Sequence, residues 1–308
     1  MVVSEREKAA EVAQKSSPQE LVDSTHNSHS LKYDLPKQPL IVIEPARRWV
    51  AIKFRDLWEY RELLYFLMWR DIKVRYKQTV LGATWAIIQP LVTMIVFTYF
   101  FGILARVPTD GIPYPIFFYT GLLIWTFFSN AVSTGANSLV GNTNLITKVY
   151  FPRLIIPSAS VGAGLMDFAI ASFLLVGLLI YYDFPVTLSY LMLVPVILVT
   201  TLFALGMAVW LSALNVRYRD IRYALPFVMQ IWLFVSPIIY PASLVPEQWR
   251  WILALNPMTG IIEGFRSALF DKEIHWWSLG YSTLFTLGLF VYASYSFRRM
   301  EKKFAEYI

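Results

Sequence analysis

Few side chains in this sequence are equipped for chemistry, and most of those lie inside apolar runs. Asp167, in GAGLMDFAIAS, is a carboxylate within a segment long enough to cross a bilayer. A charge at that depth is costly, so such a residue either works for a living or bonds to a neighbouring helix. Gly162 and Gly164 beside it permit close helix approach and favour the structural bond. Asn130, Thr134, Asn137 and Gly141 recur at i, i+4, i+7 and i+11, with Ser133 and Ser138 on the same side. That polar stripe either lines a hydrated path for a hydroxyl-rich solute or marks a helix end emerging into water. Glu263 and Arg266, three apart in GIIEGFRSALF, are placed to form an ion pair on one helical turn and to work as a gate. The tyrosines, phenylalanines and tryptophans, 17% of the chain, cluster at Tyr99–Phe101, Phe117–Tyr119 and Trp125–Phe128. Such rings either form interfacial belts or line a channel.

Equally informative are the motifs that do not occur. The sequence has no G-x-x-x-x-G-K-[ST] phosphate loop, no H-E-x-x-H and no G-x-S-x-G. There is no cysteine, and His26, His29 and His275 do not make a metal cluster. The expectation is a chain with no catalytic, cofactor or metal site, not an enzyme, whose energy source lies on a partner or in an ion gradient. The formal charge of +6 is gathered in a few loops, which reads as membrane topology and not as a nucleic-acid surface.

The elements that position these residues follow from the apolar runs. The chain has 308 residues, 56% of them hydrophobic, and a mean hydropathy of +0.50. This predicts an all-α membrane protein. Residues 1–42 are polar and read as a disordered cytoplasmic tail, leaving 43–308 as the transmembrane domain. Leu57–Lys77 reads as an amphipathic interface helix, with Glu59, Glu62, Arg70, Lys73 and Lys77 on one stripe and Trp58, Tyr65, Trp69 and Tyr76 suited to headgroups. Six transmembrane helices are predicted at Thr84–Leu104, Pro115–Val140, Leu154–Tyr182, Val186–Leu214, Tyr223–Tyr240 and Trp276–Phe297. Between the last two, Pro241–His275 reads as two short re-entrant helices broken at Asn256-Pro257, dipping in from outside. With both termini in the cytoplasm, all but Arg106, Arg250, Arg266 and Lys272 of the 27 Lys and Arg residues fall inside. Gly141–Pro157, GNTNLITKVYFPRLIIP, is then a basic cytoplasmic knuckle between two spans.

Four stretches carry a resemblance: RYKQTVLGATWAIIQPL (Arg75–Leu91), LITKVYFPR (Leu145–Arg153), LNVRYRDIRYALPFVMQIWLFVSPIIYP (Leu214–Pro241) and LNPMTGIIEGFRSAL (Leu255–Leu269). In content and order they resemble the membrane subunits of ABC-2 type exporters for polysaccharides such as O-antigen. The resemblance implies a permease of the bacterial inner membrane in which two copies form a twelve-span pore. Two separate ATPase subunits would hold ATP and Mg. The implied cargo is a polysaccharide on an undecaprenyl diphosphate anchor; the alternatives are a drug or lipid exporter of the same type, or a lipid-linked glycosyltransferase.

The resemblance also implies roles for residues. Asn144, Lys148, Tyr150, Phe151 and Arg153 would form the coupling helix in the ATPase groove, where relatives carry an acid in place of Leu154. Tyr99, Phe118, Tyr119, Trp125, Asn130, Thr134 and Asn137 would face the channel and its sugars. Arg70, Lys73, Arg75 and Lys77 would guide the diphosphate headgroup among anionic membrane lipids. Asn256, Pro257, Met258, Glu263 and Arg266 would belong to the outer gate.

Overall fold

In lipid a backbone must satisfy its own polar groups, and uncharged runs of Leu, Ile, Val and Phe do so as helices. The computed structural model describes residues 58–77, 82–301 and Phe304, which belong to one unit, Val50–Ile308. The tail at 1–42 and Leu57 lie outside the described residues. Among those described, every regular element is helical.

The order is α1 (Arg61–Lys77), α2 (Trp85–Phe97) continuing into a π-helical turn (Thr98–Leu104), α3 (Tyr114–Gly141), α4 (Thr143–Lys148), α5 (Ile155–Tyr181), a 3-10 turn (Leu188–Met192), α6 (Leu193–Arg217), α7 (Ile221–Val235), α8 (Glu247–Ala254), α9 (Pro257–Phe270) and α10 (Trp276–Glu301). Four apolar segments are long enough to cross a membrane: Gly82–Leu104, Tyr114–Gly141, Ile155–Tyr181 and Leu188–Arg217. They coincide with the first four predicted spans to within a few residues. Helix α7 has 15 residues, about 22 Å at the helical rise and short of a ~30 Å hydrocarbon core. Helix α10 is long, 26 residues, but its Ser, Thr and Tyr content leaves it less apolar than those four.

The bundle is built on α3, which packs against α5 and α6; α6 packs in turn on α10, and α10 on α9. In the most apolar stretch of α3, 78% of residues are buried, against 11% for the most apolar stretch of Gly82–Leu104, so the first segment lies at the edge of the bundle. Close approach is set by small residues. A Cβ added at Gly135 would stand 2.5 Å from the Ala208 Cβ, so α3 and α6 meet there backbone to backbone. Phe128 of α3 stacks on Phe203 of α6 at 4.8 Å, and Trp232 of α7 meets Phe128 edge-on at 5.4 Å. These rings sit in the main core, which extends to α9 through Ile261, Ile262 and Phe265.

A second core gathers one end of the bundle. Leu67 of α1, Ile146 of α4, Phe151, Leu154, Ile155 of α5, Val216 of α6 and Phe297 of α10 pack together there. Helix α1 therefore rests along α5, with Leu63, Leu64 and Met68 turned toward the second core. Its outward side mixes Tyr65, Phe66 and Trp69 with Glu62 and Lys73. The expected amphipathic split is thus weak: charges and aromatic rings share one face, because the inward face is used for packing on α5.

Candidate functional site

Three groupings of polar side chains emerge from this packing. The first is the knuckle between α3 and α5. Asn142 ends α3, and α4 follows as a six-residue helix. Asn144 and Lys148 are exposed, and Tyr150 is 77% exposed. Phe151 is only 5% exposed and lies in the second core with Ile146 and Leu154. Arg153 donates to the Glu301 carbonyl at 3.0 Å, and its guanidinium lies over the Phe304 ring at 5.6 Å. The five predicted coupling residues thus divide into an outward surface (Asn144, Lys148, Tyr150) and an anchor (Phe151, Arg153). Leu154 faces the core, not the outward surface.

The second grouping is a cavity of 570 Å³ between α1, α2, α3 and α5. At its floor, the Arg75 guanidinium pairs with the Asp167 carboxylate, and the Tyr76 hydroxyl donates to the other oxygen of that carboxylate. Burial raises the Tyr76 hydroxyl above its ordinary pKa of 10.0, with Arg75 opposing, so it remains a proton donor at neutral pH. Asp167 therefore has its basic partner, on α1. Asn130 and Thr134 line this cavity, as does Trp125. Asn137 does not; it accepts from Asn215 of α6 at 3.2 Å, while Asn215 also donates to the Ala136 carbonyl. The predicted stripe splits: Asn130 and Thr134 face the cavity, Asn137 packs on α6, and Gly141 is exposed at the helix end.

The remaining predicted channel residues are placed differently. Phe118 and Tyr119 are inside the main core, 1% and 0% exposed, so neither presents a surface to a channel. Phe118 stacks between Phe97 and Tyr114, and Tyr119 donates to the Ala171 carbonyl at 2.7 Å. Tyr99 is exposed on the π-helical turn. Of the four residues of α1 expected to guide a headgroup, Arg70 is bound to Asp71 at 2.8 Å and Arg75 to Asp167. Lys73 and Lys77 are exposed, Lys73 over the Trp69 ring. Among the described residues Lys73 and Lys77 are the two of the four outside an ion pair.

The third grouping joins α7 to α9. Asn256 caps α9, its side-chain oxygen accepting from the Met258 amide and from the Trp232 indole at 2.9 Å. Its amide nitrogen donates to Ser236 at 2.9 Å. Pro257 opens α9, where a missing N–H costs nothing, and Met258 is fully buried. Two short helices do meet at Asn256-Pro257. The Glu263–Arg266 ion pair is not formed among the described residues. Arg266 instead donates to the carbonyls of Pro237 (2.6 Å), Ile238 (2.9 Å) and Phe117 (3.0 Å), and lies 3.7 Å from the Phe117 ring centre. The chain past α7 is not helical, so its carbonyls lack helical donors, and Arg266 supplies them. Gly121 makes room: a Cβ there would stand 2.7 Å from the guanidinium.

Sequence reading missed Gln89, Trp85 and Asn215. The first two carried a local signal, since Trp85, Gln89 and Thr93 stand at i, i+4 and i+8 in WAIIQPLVT. Asn215 gave none, because its partner lies on another helix. Among the described residues no group of His, Asp or Glu side chains is gathered so as to hold a metal ion.

Long apolar helices, a braced basic knuckle outside them and a polar cavity within them define a multi-pass membrane transport domain. The profile of the family described as ABC-2 type transporter matches residues 62–270, and the chain belongs to that family. It is 30% identical over 223 residues to the O-antigen export system permease protein RfbA of Myxococcus xanthus, covering 71% of this chain and 85% of that one. It is 28% identical to the Klebsiella pneumoniae protein of the same name, over 80% and 94% of the two chains. The polysialic acid transport protein KpsM of Escherichia coli is 25% identical over 72% and 86%.

Proposed function

We propose that this chain is the permease subunit of an ATP-driven exporter that moves lipid-linked polysaccharide, carried on undecaprenyl diphosphate, across the bacterial inner membrane. Two copies form the path and two ATPase subunits drive it. The observation that carries the drive is the knuckle: Asn144, Lys148 and Tyr150 stand outward, while Phe151 and Arg153 tie them to the bundle. A force applied there reaches α3 and α5 together. The cargo class rests on the relatives named for O-antigen and polysialic acid transport.

In this reading α7, prolonged by the turn that Arg266 holds, and α10 complete six spans. Helices α8 and α9 enter from outside as a gate. Both termini are cytoplasmic. Support for that orientation comes from the second core, which brings Lys148, Arg153 and the basic end of α10 to one end of the bundle. The exposed Lys73 and Lys77 then face anionic headgroups.

The test is deletion of the gene. An exporter predicts loss of surface polysaccharide with lipid-linked polymer accumulating inside, and co-purification of the chain with a Walker-motif subunit. A glycosyltransferase predicts no polymer at all. A drug exporter predicts normal surface polymer, and that result would overturn the proposal.

A further inference from the structure

The cavity between α2, α3 and α5 has a composition that the apolar helices around it do not explain. Two polar stripes face it. Trp85, Gln89 and Thr93 come from α2, and Thr126, Asn130 and Thr134 from α3, each set spaced by four residues. Side chains at that spacing share a helical face, so the stripes run alongside each other within bilayer-length segments. The hydroxyls of Thr93 and Thr134 bond back to their own helices, to the carbonyls of Gln89 and Asn130. The side-chain amides of Gln89 and Asn130 have no hydrogen-bond partner among the described residues, and both residues are exposed. Amides left that way against hydrocarbon are strongly disfavoured. They require water or a polar ligand.

The floor decides which ligand. Arg75 is neutralised by Asp167, and Tyr76 donates to the same carboxylate. Among the described residues no other Lys, Arg, Asp or Glu lines the cavity. A diphosphate would find no unpaired cation, and an acidic sugar would have to displace Asp167 from Arg75. An uncharged sugar fits: the indole of Trp85, half exposed at the cavity, offers a flat apolar face, and the two amides offer paired donors and acceptors for ring hydroxyls. The cavity, 570 Å³, is in the size range of small-ligand sites.

We infer that this cavity is a subsite for uncharged pyranose units of the exported polymer, and that the Arg75–Asp167 pair makes it select neutral over acidic chains. The inference rests on the polysaccharide reading above, and the two fail separately. The full chain in lipid nanodiscs is probed by saturation-transfer NMR with neutral oligosaccharides prepared from the cell's own surface polymer. Inorganic pyrophosphate and an oligogalacturonate of matched length serve as charged probes. Transfer to the neutral probe is expected in the native chain, at least about fivefold weaker in Gln89→Leu and Trp85→Ala, and unaffected by pyrophosphate. Trp277→Ala, on a fully separate and exposed ring, is the control and should match the native chain. Asp167→Asn frees the Arg75 charge and should raise transfer to the oligogalacturonate above that to the neutral probe. Unchanged transfer in both Gln89→Leu and Trp85→Ala, or displacement of the sugar by pyrophosphate, overturns the subsite. So does an absence of transfer in the native chain. Loss of surface polymer on gene deletion, alongside any of these results, leaves the export reading standing without the subsite.

Discussion

Two adjacent residues of the knuckle should behave in opposite ways when truncated. Phe151 is 5% exposed and packs with Ile146, Leu154 and Ile155, whereas Tyr150 is 77% exposed. Removing a buried phenyl ring costs about 3–5 kcal/mol, the spread reflecting how far the site collapses. Phe151→Ala should therefore lower thermal stability of the nanodisc-embedded chain substantially. Phe151→Leu, which keeps most of the volume, should cost less than about 1.5 kcal/mol. Tyr150→Ala touches nothing in the core and should leave stability within about 0.5 kcal/mol. If Tyr150 is an aromatic anchor in the ATPase groove, its loss should cost about 2 kcal/mol or more of docking, roughly a thirtyfold weaker association.

The assay pairs a melting curve with ATP hydrolysed per polymer exported. The expected pattern is a stable Tyr150→Ala protein that binds its ATPase weakly and exports little, beside an unstable Phe151→Ala protein. Arg153→Ala should resemble Phe151→Ala in kind, because it loses the bond to the Glu301 carbonyl and the contact with Phe304. Tyr150→Ala with native coupling, or with the stability loss of Phe151→Ala, would refute the division into surface and anchor.

Further outcomes follow from the other two groupings. The side chains of Arg75 and Asp167 are 33% and 23% exposed, between a surface pair and a buried one, so single removals should cost about 1–3 kcal/mol in detergent unfolding. A double-mutant cycle should return a coupling of about 1–2 kcal/mol, and strict additivity would show the pair to be idle. Arg266→Leu should cost about 3 kcal/mol or more, because the carbonyls of Pro237, Ile238 and Phe117 all lose a donor. Gly121→Ala should push the same guanidinium away and reproduce part of that loss; native stability in Arg266→Leu would show that water replaces it.

The spans were legible because a long apolar run is a local property. Four of six predicted segments match apolar helices closely, and the break at Asn256-Pro257 falls where the two residue types require it. The partners of charged residues were not legible. Arg266 has Glu263 one turn away, the pairing that local spacing suggests. Yet the chain beyond α7 leaves carbonyls without helical donors, and a buried guanidinium with several donors satisfies two of them, the Phe117 carbonyl of α3 and a threonine hydroxyl at once. Where water is scarce, an unmet carbonyl costs more than an unmade ion pair gains, so the tertiary partners win.

The same reasoning explains Asp167 and the knuckle. Tyr76 and Asp167 stand 91 residues apart, and nothing in either segment announces the other. The base that pairs with Asp167 comes from outside the four apolar segments: α1 runs beside α5 and brings Arg75 within reach. In the knuckle, α4 ends at Lys148 and Val149 is extended, so helical periodicity stops just before Tyr150 and Phe151. Which of the two turns inward is then set by the second core, to which α1, α5, α6 and α10 all contribute. Residue type located this handle in the chain; its division into gripping and bracing side chains is a product of packing among helices far apart in sequence, and only a perturbation that separates Tyr150 from Phe151 reads it out.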